Sequence, residues 1–174
     1  HFSPFACFMV TPTHWPEAAR PLIGRVVRWI ENSINGNPNE PLKALAIDIY
    51  EYQCTYSDIA KALYTGPVSE LEHIPAIPVQ LYKELDVGTV PAHRAGATFM
   101  TSGTTGDTRG AHHMHHASLY EYAAVSWARA FVPNLPHKGI HLLLNPRIHP
   151  ESSLSHMVDV LCDNGSSWHL QNGH

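Results

Sequence analysis

Apolar residues recur along this chain at two spacings, and each spacing predicts a different kind of element. Leu22, Val26, Trp29 and Ile30 fall on one face at helical intervals and predict a helix between Glu17 and Ser33. Leu42, Leu45, Ile49, Tyr52 and Tyr56 form a second stripe, predicting one helix over residues 42–64 that Gly66-Pro67 ends. Ile74-Pro75-Ala76-Ile77-Pro78-Val79 carries two prolines, which forbid helix and predict a buried, extended strap. Ala97 to Met100 reads as a short strand entering a glycine-rich turn, with residues 109–114 returning as its partner.

Ser118-Leu119-Tyr120-Glu121 has the spacing of a capping box. Behind it, Leu119, Tyr122, Ala123, Ser126, Trp127 and Ala130 follow a helical face that Pro133 closes. Among the aromatic residues, Tyr122, Trp127 and Phe131 read as core. Ile140 to Leu144 predicts a buried strand. Ser152 or Ser153 then caps a helix running to Cys162, with Gly165 beyond its end. Residues 1–40 read as an irregular extension around that first helix, broken by Pro4, Pro12, Pro16, Pro21, Pro38 and Asn35-Gly36. The order of helix, strap, hairpin, helix, strand and helix predicts a layered α/β domain over residues 41–174, its helices packed on a partial sheet.

Composition narrows the classes. The 174 residues are 44% hydrophobic and 15% charged, with a mean hydropathy of -0.18, which is ordinary for a globular chain. A formal net charge of -4 argues against a broad basic field for nucleic acid or an anionic membrane. Apolar runs fall well short of the ~18 residues a membrane span requires. Cys7, Cys54 and Cys162 are too scattered for a zinc ribbon or a disulfide framework. The default expectation is therefore a cytoplasmic protein.

The chemistry concentrates in Thr101-Ser102-Gly103-Thr104-Thr105-Gly106-Asp107-Thr108-Arg109-Gly110. A polyphosphate presents several negative oxygens, and holding them takes many short donors. Glycines let backbone N–H groups approach closely. Ser and Thr hydroxyls add donors, and a guanidinium adds a fixed charge with a bidentate fork. A plain Ser/Thr/Gly turn has the same composition. The loop is not a Walker A motif, since no Lys sits where that motif needs one. Gly103-Thr104-Thr105-Gly106 matches the bare GXXG of a KH domain, but the negative charge argues against RNA.

Thr101 to Gly110 resembles the phosphate-binding signature of adenylate-forming enzymes, a pattern close to T-S-G-T-T-G-x-P-K-G. Thr108 stands at the usual proline and Arg109 at the usual lysine. The residues from Ile74 to Lys83, from Tyr50 to Cys54, and Ser152-Ser153-Leu154-Ser155-His156-Met157 resemble segments of one branch, in the same order. That branch is the acyl-protein synthetases (LuxE-type, long-chain fatty acid–luciferin component ligases). The resemblance spans roughly residues 42–161.

It implies that a fatty acid or other carboxylate attacks the α-phosphate of ATP. Acyl-adenylate forms, pyrophosphate leaves, and the acyl group passes to a protein thiol and on to a partner acyl reductase. It implies that Thr101, Ser102, Gly103, Thr104, Thr105, Gly106, Thr108 and Arg109 hold the phosphates, with Mg2+ bridging their oxygens. It places Ser153 and His156 beside the acyl carboxylate. The family's adenine-binding segment, its metal-coordinating glutamate and its mobile C-terminal lysine domain have no counterpart before His174. The resemblance thus implies an N-terminal portion that does not complete the reaction alone.

Two other readings stay open. His112, His113, His115 and His116 cluster behind the loop. Helical spacing would let His112 and His116 share a metal, and strand spacing would align His113 with His115. A histidine-rich metal-binding or assembly module is therefore the alternative, and a noncatalytic nucleotide-binding remnant is a third reading.

Overall fold

A computed structural model of the chain describes residues 10, 15–37, 41–64, 66–101, 108–135, 138–162 and 167–170. Gly103 to Gly106, and Gly165, lie outside them. Six α-helices and four strands are present among the described residues, giving a mixed α/β chain. The strands form two separate two-stranded sheets rather than one partial sheet.

Helix α1 (Arg20–Ile34) follows a 3-10 turn at Glu17–Ala19, and Pro21 sits in its first turn, where a missing N–H costs nothing. Its end is set by Gly36, at φ 72. Asn37 N–H donates to Asn32 O and Gly36 N–H to Ser33 O, the paired bonds of a Schellman motif. Ile23 and Ile30 are the buried residues of α1.

The single helix expected over 42–64 is two, α2 (Leu42–Tyr56) and α3 (Asp58–Leu63). Ser57 breaks it. Its backbone is extended, and its Oγ accepts from Ala60 N–H at 3.2 Å while donating to Val87 O at 3.1 Å. Ser57 is 2% exposed, so both bonds are made away from water. The buried stripe of α2 is also rotated from the expected one. Leu45 and Tyr50 are buried, whereas Leu42 and Tyr56 are about half exposed. Tyr50 turns inward because it packs with Ala60 and Tyr64, and its hydroxyl donates to Gly66 O at 3.0 Å.

The proline strap is extended, as read, but only partly buried. Ile74 and Ile77 pack on the Tyr50–Ala60–Tyr64 cluster, and the prolines face outward. A short helix, α4 (Leu81–Glu84), follows. Strands β1 (Ala97–Met100) and β2 (Ala111–Met114) form the expected antiparallel hairpin, pairing Thr98 with His113 and Phe99 with His112.

Helix α5 (Ser118–Phe131) packs on α1, and Tyr122 Oη donates to Glu31 Oε1 at 2.7 Å. Tyr122 and Val125 are its buried residues. Phe131, expected in the core, is 74% exposed and stacks on Trp127 at 5.5 Å. Strand β3 (Ile140–Leu144) pairs in parallel with β4 (Ser167–Leu170). It is not the buried strand its apolar run predicts, because no described element covers Ile140 and Leu142. Helix α6 (Ser153–Leu161) starts at Ser152, whose Oγ accepts from Ser155 N–H. No helix among the described residues is long and apolar enough to cross a membrane.

Candidate functional site

The β1–β2 hairpin builds the base of the glycine-rich loop. Thr101 N–H donates to Gly110 O at 2.8 Å, extending the ladder one pair beyond the strands. Gly110 N–H donates to Thr101 Oγ1 at 2.8 Å. The hydroxyl acts there as an acceptor and keeps its own proton to donate. Gly110 is buried, and a Cβ at this position would lie 2.8 Å from Tyr82 O. Only glycine lets α4 and the hairpin approach this closely.

Arg109 lies across the same junction. Its Nε donates to Thr101 O at 2.9 Å, and its Nη1 is 3.9 Å from Glu151 Oε1. Glu151 in turn accepts from Met100 N–H through its own carbonyl at 2.9 Å. Hydrogen bonding from its own backbone N–H, with His149 and the nearby Arg109 charge, holds the Glu151 carboxyl below the usual range against the opposing effect of burial. The guanidinium is thus aimed by two contacts while 41% of the side chain stays exposed. Of the eight proposed phosphate ligands, Thr101, Thr108 and Arg109 belong to the described residues, and Thr108 is exposed. Ser102, Gly103, Thr104, Thr105 and Gly106 lie outside them.

The four clustered histidines have four different partners. His112 and His113 alternate on β2. The His112 ring lies 4.5 Å from that of Tyr82, and His113 Nδ1 is 2.8 Å from Thr98 Oγ1. The strand ends at Met114, so neither the helical nor the strand spacing that would pair them as ligands is realised. His115 meets Trp15 edge-on at 5.9 Å, and its buried Nε2 has no partner among the described residues. Burial lowers its pKa. His116 Nδ1 accepts from Ser118 N–H at 3.0 Å. Among the described residues, no three His, Cys, Asp or Glu side chains are grouped to hold a metal ion.

The bond from Ser118 N–H to His116 also corrects the capping box. Ala117 occupies the cap position, and no side chain of the Ser-x-x-Glu motif closes it. Glu121 reaches away from its own helix end, to His156 Nε2 at 2.9 Å. The His156 ring packs 5.2 Å from that of Phe99, which is 4% exposed and lies two residues before Thr101. Tyr120 Oη donates to Ser153 O at 3.0 Å. The two groups picked from sequence, the loop base and Ser153/His156, therefore meet around one strand. Phe99 touches His156, and Met100 is bonded to Glu151, just before α6. Sequence reasoning missed Glu121, Glu151 and Tyr82 as partners. The signal at Glu121 was masked by its capping-box spacing, and that at Glu151 and Tyr82 exists only through long-range packing.

No family model matches this chain, and neither a curated protein nor a solved structure matches it.

Proposed function

We propose that this chain belongs to an ATP-dependent acid–thiol ligase of the acyl-protein synthetase type, acting on a fatty acid or another carboxylate. The observation that carries the reading is the loop base. A β-hairpin closes a Ser/Thr/Gly-rich segment and holds Arg109 beside it, with its guanidinium anchored at Nε and partly exposed. That arrangement fits a polyphosphate, because an aimed, permanently charged fork needs no reorganisation to meet phosphate oxygens.

The chemistry follows from the substrate. A carboxylate is a poor electrophile until its oxygen bonds to the α-phosphorus of ATP and pyrophosphate departs. The resulting mixed anhydride then accepts a thiolate at its carbonyl carbon, releasing AMP. Arg109 and the hydroxyl of Thr101 would draw charge off the departing phosphates, together with Ser102, Thr104, Thr105 and Thr108. When bound, Mg2+ supplies further charge neutralisation on the phosphate oxygens. His156, oriented by Glu121 and flanked by Phe99, borders the carboxylate together with Ser153. The resemblance to the ligases supports the fold fragment, a cytoplasmic setting and an acyl reductase partner as parts of the same proposal.

The test is calorimetric titration of the chain with Mg-ATP, repeated on Arg109→Ala. Saturable binding that weakens about tenfold or more in the variant agrees with a charged hydrogen bond to phosphate. Binding that is indifferent to Arg109 overturns the reading.

A further inference from the structure

A cleft of about 220 Å3 opens between α2, the proline strap, α4, the segment at residues 87–89 and β2. Its apolar floor includes Ile77 and the buried Val87, and Gly88 leaves one side without a side chain. No Asp, Glu, Lys or Arg is among the described residues that line it.

The polar groups around this cleft fall into two sets. Three are spoken for: His113 by Thr98, Thr89 by Tyr52, and the nearby Ser57 by Val87. The other three, the Gln53 amide, the Tyr82 phenol and the His112 imidazole, have no hydrogen-bond partner among the described residues, and all three line the cleft. Each of the three is half-buried, so its polar atoms stay open to a partner that enters the cleft. Three unpaired groups facing one small space make a recognition surface with both donors and acceptors. Tyr82 and His112 also lie ring against ring, at 4.5 Å and 31°, which gives the cleft an aromatic wall.

We propose that this cleft binds a flat, uncharged nitrogen heterocycle carrying a carboxamide-like donor–acceptor pair. The size sets the scale. At ~30 Å3 for each water, the space equals about seven waters, enough for one ring and a substituent and less than the ~300 Å3 of a drug-sized pocket. The charge sets the class. With no Asp, Glu, Lys or Arg among the described lining residues, a carboxylate or an ammonium would lose hydration without a permanent counter-charge, whereas a neutral amide or ring nitrogen is satisfied by Gln53 and Tyr82. The aromatic wall favours a ring over an aliphatic amide of the same volume. This assignment is independent of the phosphate reading, since none of its residues belongs to the loop.

The probe is nicotinamide, titrated into the full chain by NMR, with benzoate and benzylamine as its charged counterparts. Saturating shifts at Tyr82 and His112, weakened about tenfold in Gln53→Leu, are expected. Gln53→Glu preserves the side-chain size and should shift preference from nicotinamide to benzylamine, a reversal that a general loss of folding would not produce. The assignment fails if nicotinamide gives no saturable shift by about 10 mM. It also fails if benzoate binds the unaltered chain as well as nicotinamide, or if folded Gln53→Leu binds nicotinamide unchanged.

Discussion

Glu121 and His156 join α5 to α6 through a 2.9 Å contact between a carboxylate oxygen and Nε2, and the His156 ring packs 5.2 Å from that of Phe99. Neither side chain is more than about a quarter exposed, at 20% and 27%. Such a contact orients the imidazole as well as joining two helices. A double-mutant cycle on Glu121→Gln and His156→Ala, read by urea unfolding at neutral pH, should give a coupling of about 1 kcal/mol. Additive effects would show that the contact contributes nothing in solution.

Glycine positions should separate by what stands opposite them. A Cβ at Gly96 would lie 2.3 Å from His115 O, and one at Gly110 would lie 2.8 Å from Tyr82 O. In both cases the neighbour is backbone and cannot rotate away. Gly96→Ala and Gly110→Ala should each cost about 1–3 kcal/mol. Gly24, inside α1, meets only the end of the Arg28 side chain, at 3.6 Å. Gly24→Ala should therefore stabilise by about 0.5–1 kcal/mol, because alanine loses less backbone entropy in a helix. Thermal unfolding of the three variants checks the ordering.

Ser57 has two partners that water cannot replace. Ser57→Ala removes the cap on Ala60 N–H and leaves the Val87 carbonyl without its donor. A loss of about 2 kcal/mol is expected by chemical denaturation. Ser57→Thr, which keeps the hydroxyl, should lose less.

Stability should fall on acidification in two windows. His115 has a folded pKa below its ordinary 6.5 because burial disfavours the charged ring. The unfolded chain then binds the proton more readily, so stability is lost as pH falls from 6.5 towards the folded pKa. Glu151 also has a depressed folded pKa, and its contribution is complete above 4.5 and lost as pH falls through the folded value. Denaturation midpoints measured from pH 7.5 to pH 3 should show the upper limb vanish in His115→Phe and the lower limb shrink in Glu151→Gln. Parallel curves for the variants and the parent would contradict both assignments.

Local pattern carried much of the fold. The β1–β2 hairpin follows from apolar residues on either side of a glycine-rich turn, and α1 ends where Asn35-Gly36 permits a positive φ. Ser152 caps α6 because a short hydroxyl before a helical stripe can reach the free N–H groups. These are interactions among residues close in sequence, so their geometry is set by a few torsion angles. Where the local pattern misled, a distant partner had taken the group. Ser57 splits a continuous stripe because Val87 lies against it. Glu121 leaves its capping box because His156 offers a better-placed donor and His116 already serves Ser118 N–H. Ile140 and Leu142 read as buried because an apolar run is silent about what covers it.

The same division holds at the site. Sequence alone determined the composition of the loop from Thr101 to Gly110, its glycines, hydroxyls and single guanidinium, and hence the class of chemistry it suits. Only the tertiary structure decided that Arg109 is anchored to Thr101 and steered by Glu151, that the four histidines part company, and that Gln53, Tyr82 and His112 meet at one cleft. Residue types and spacings are one-dimensional facts, whereas the direction of a side chain depends on which distant backbone presses against its own.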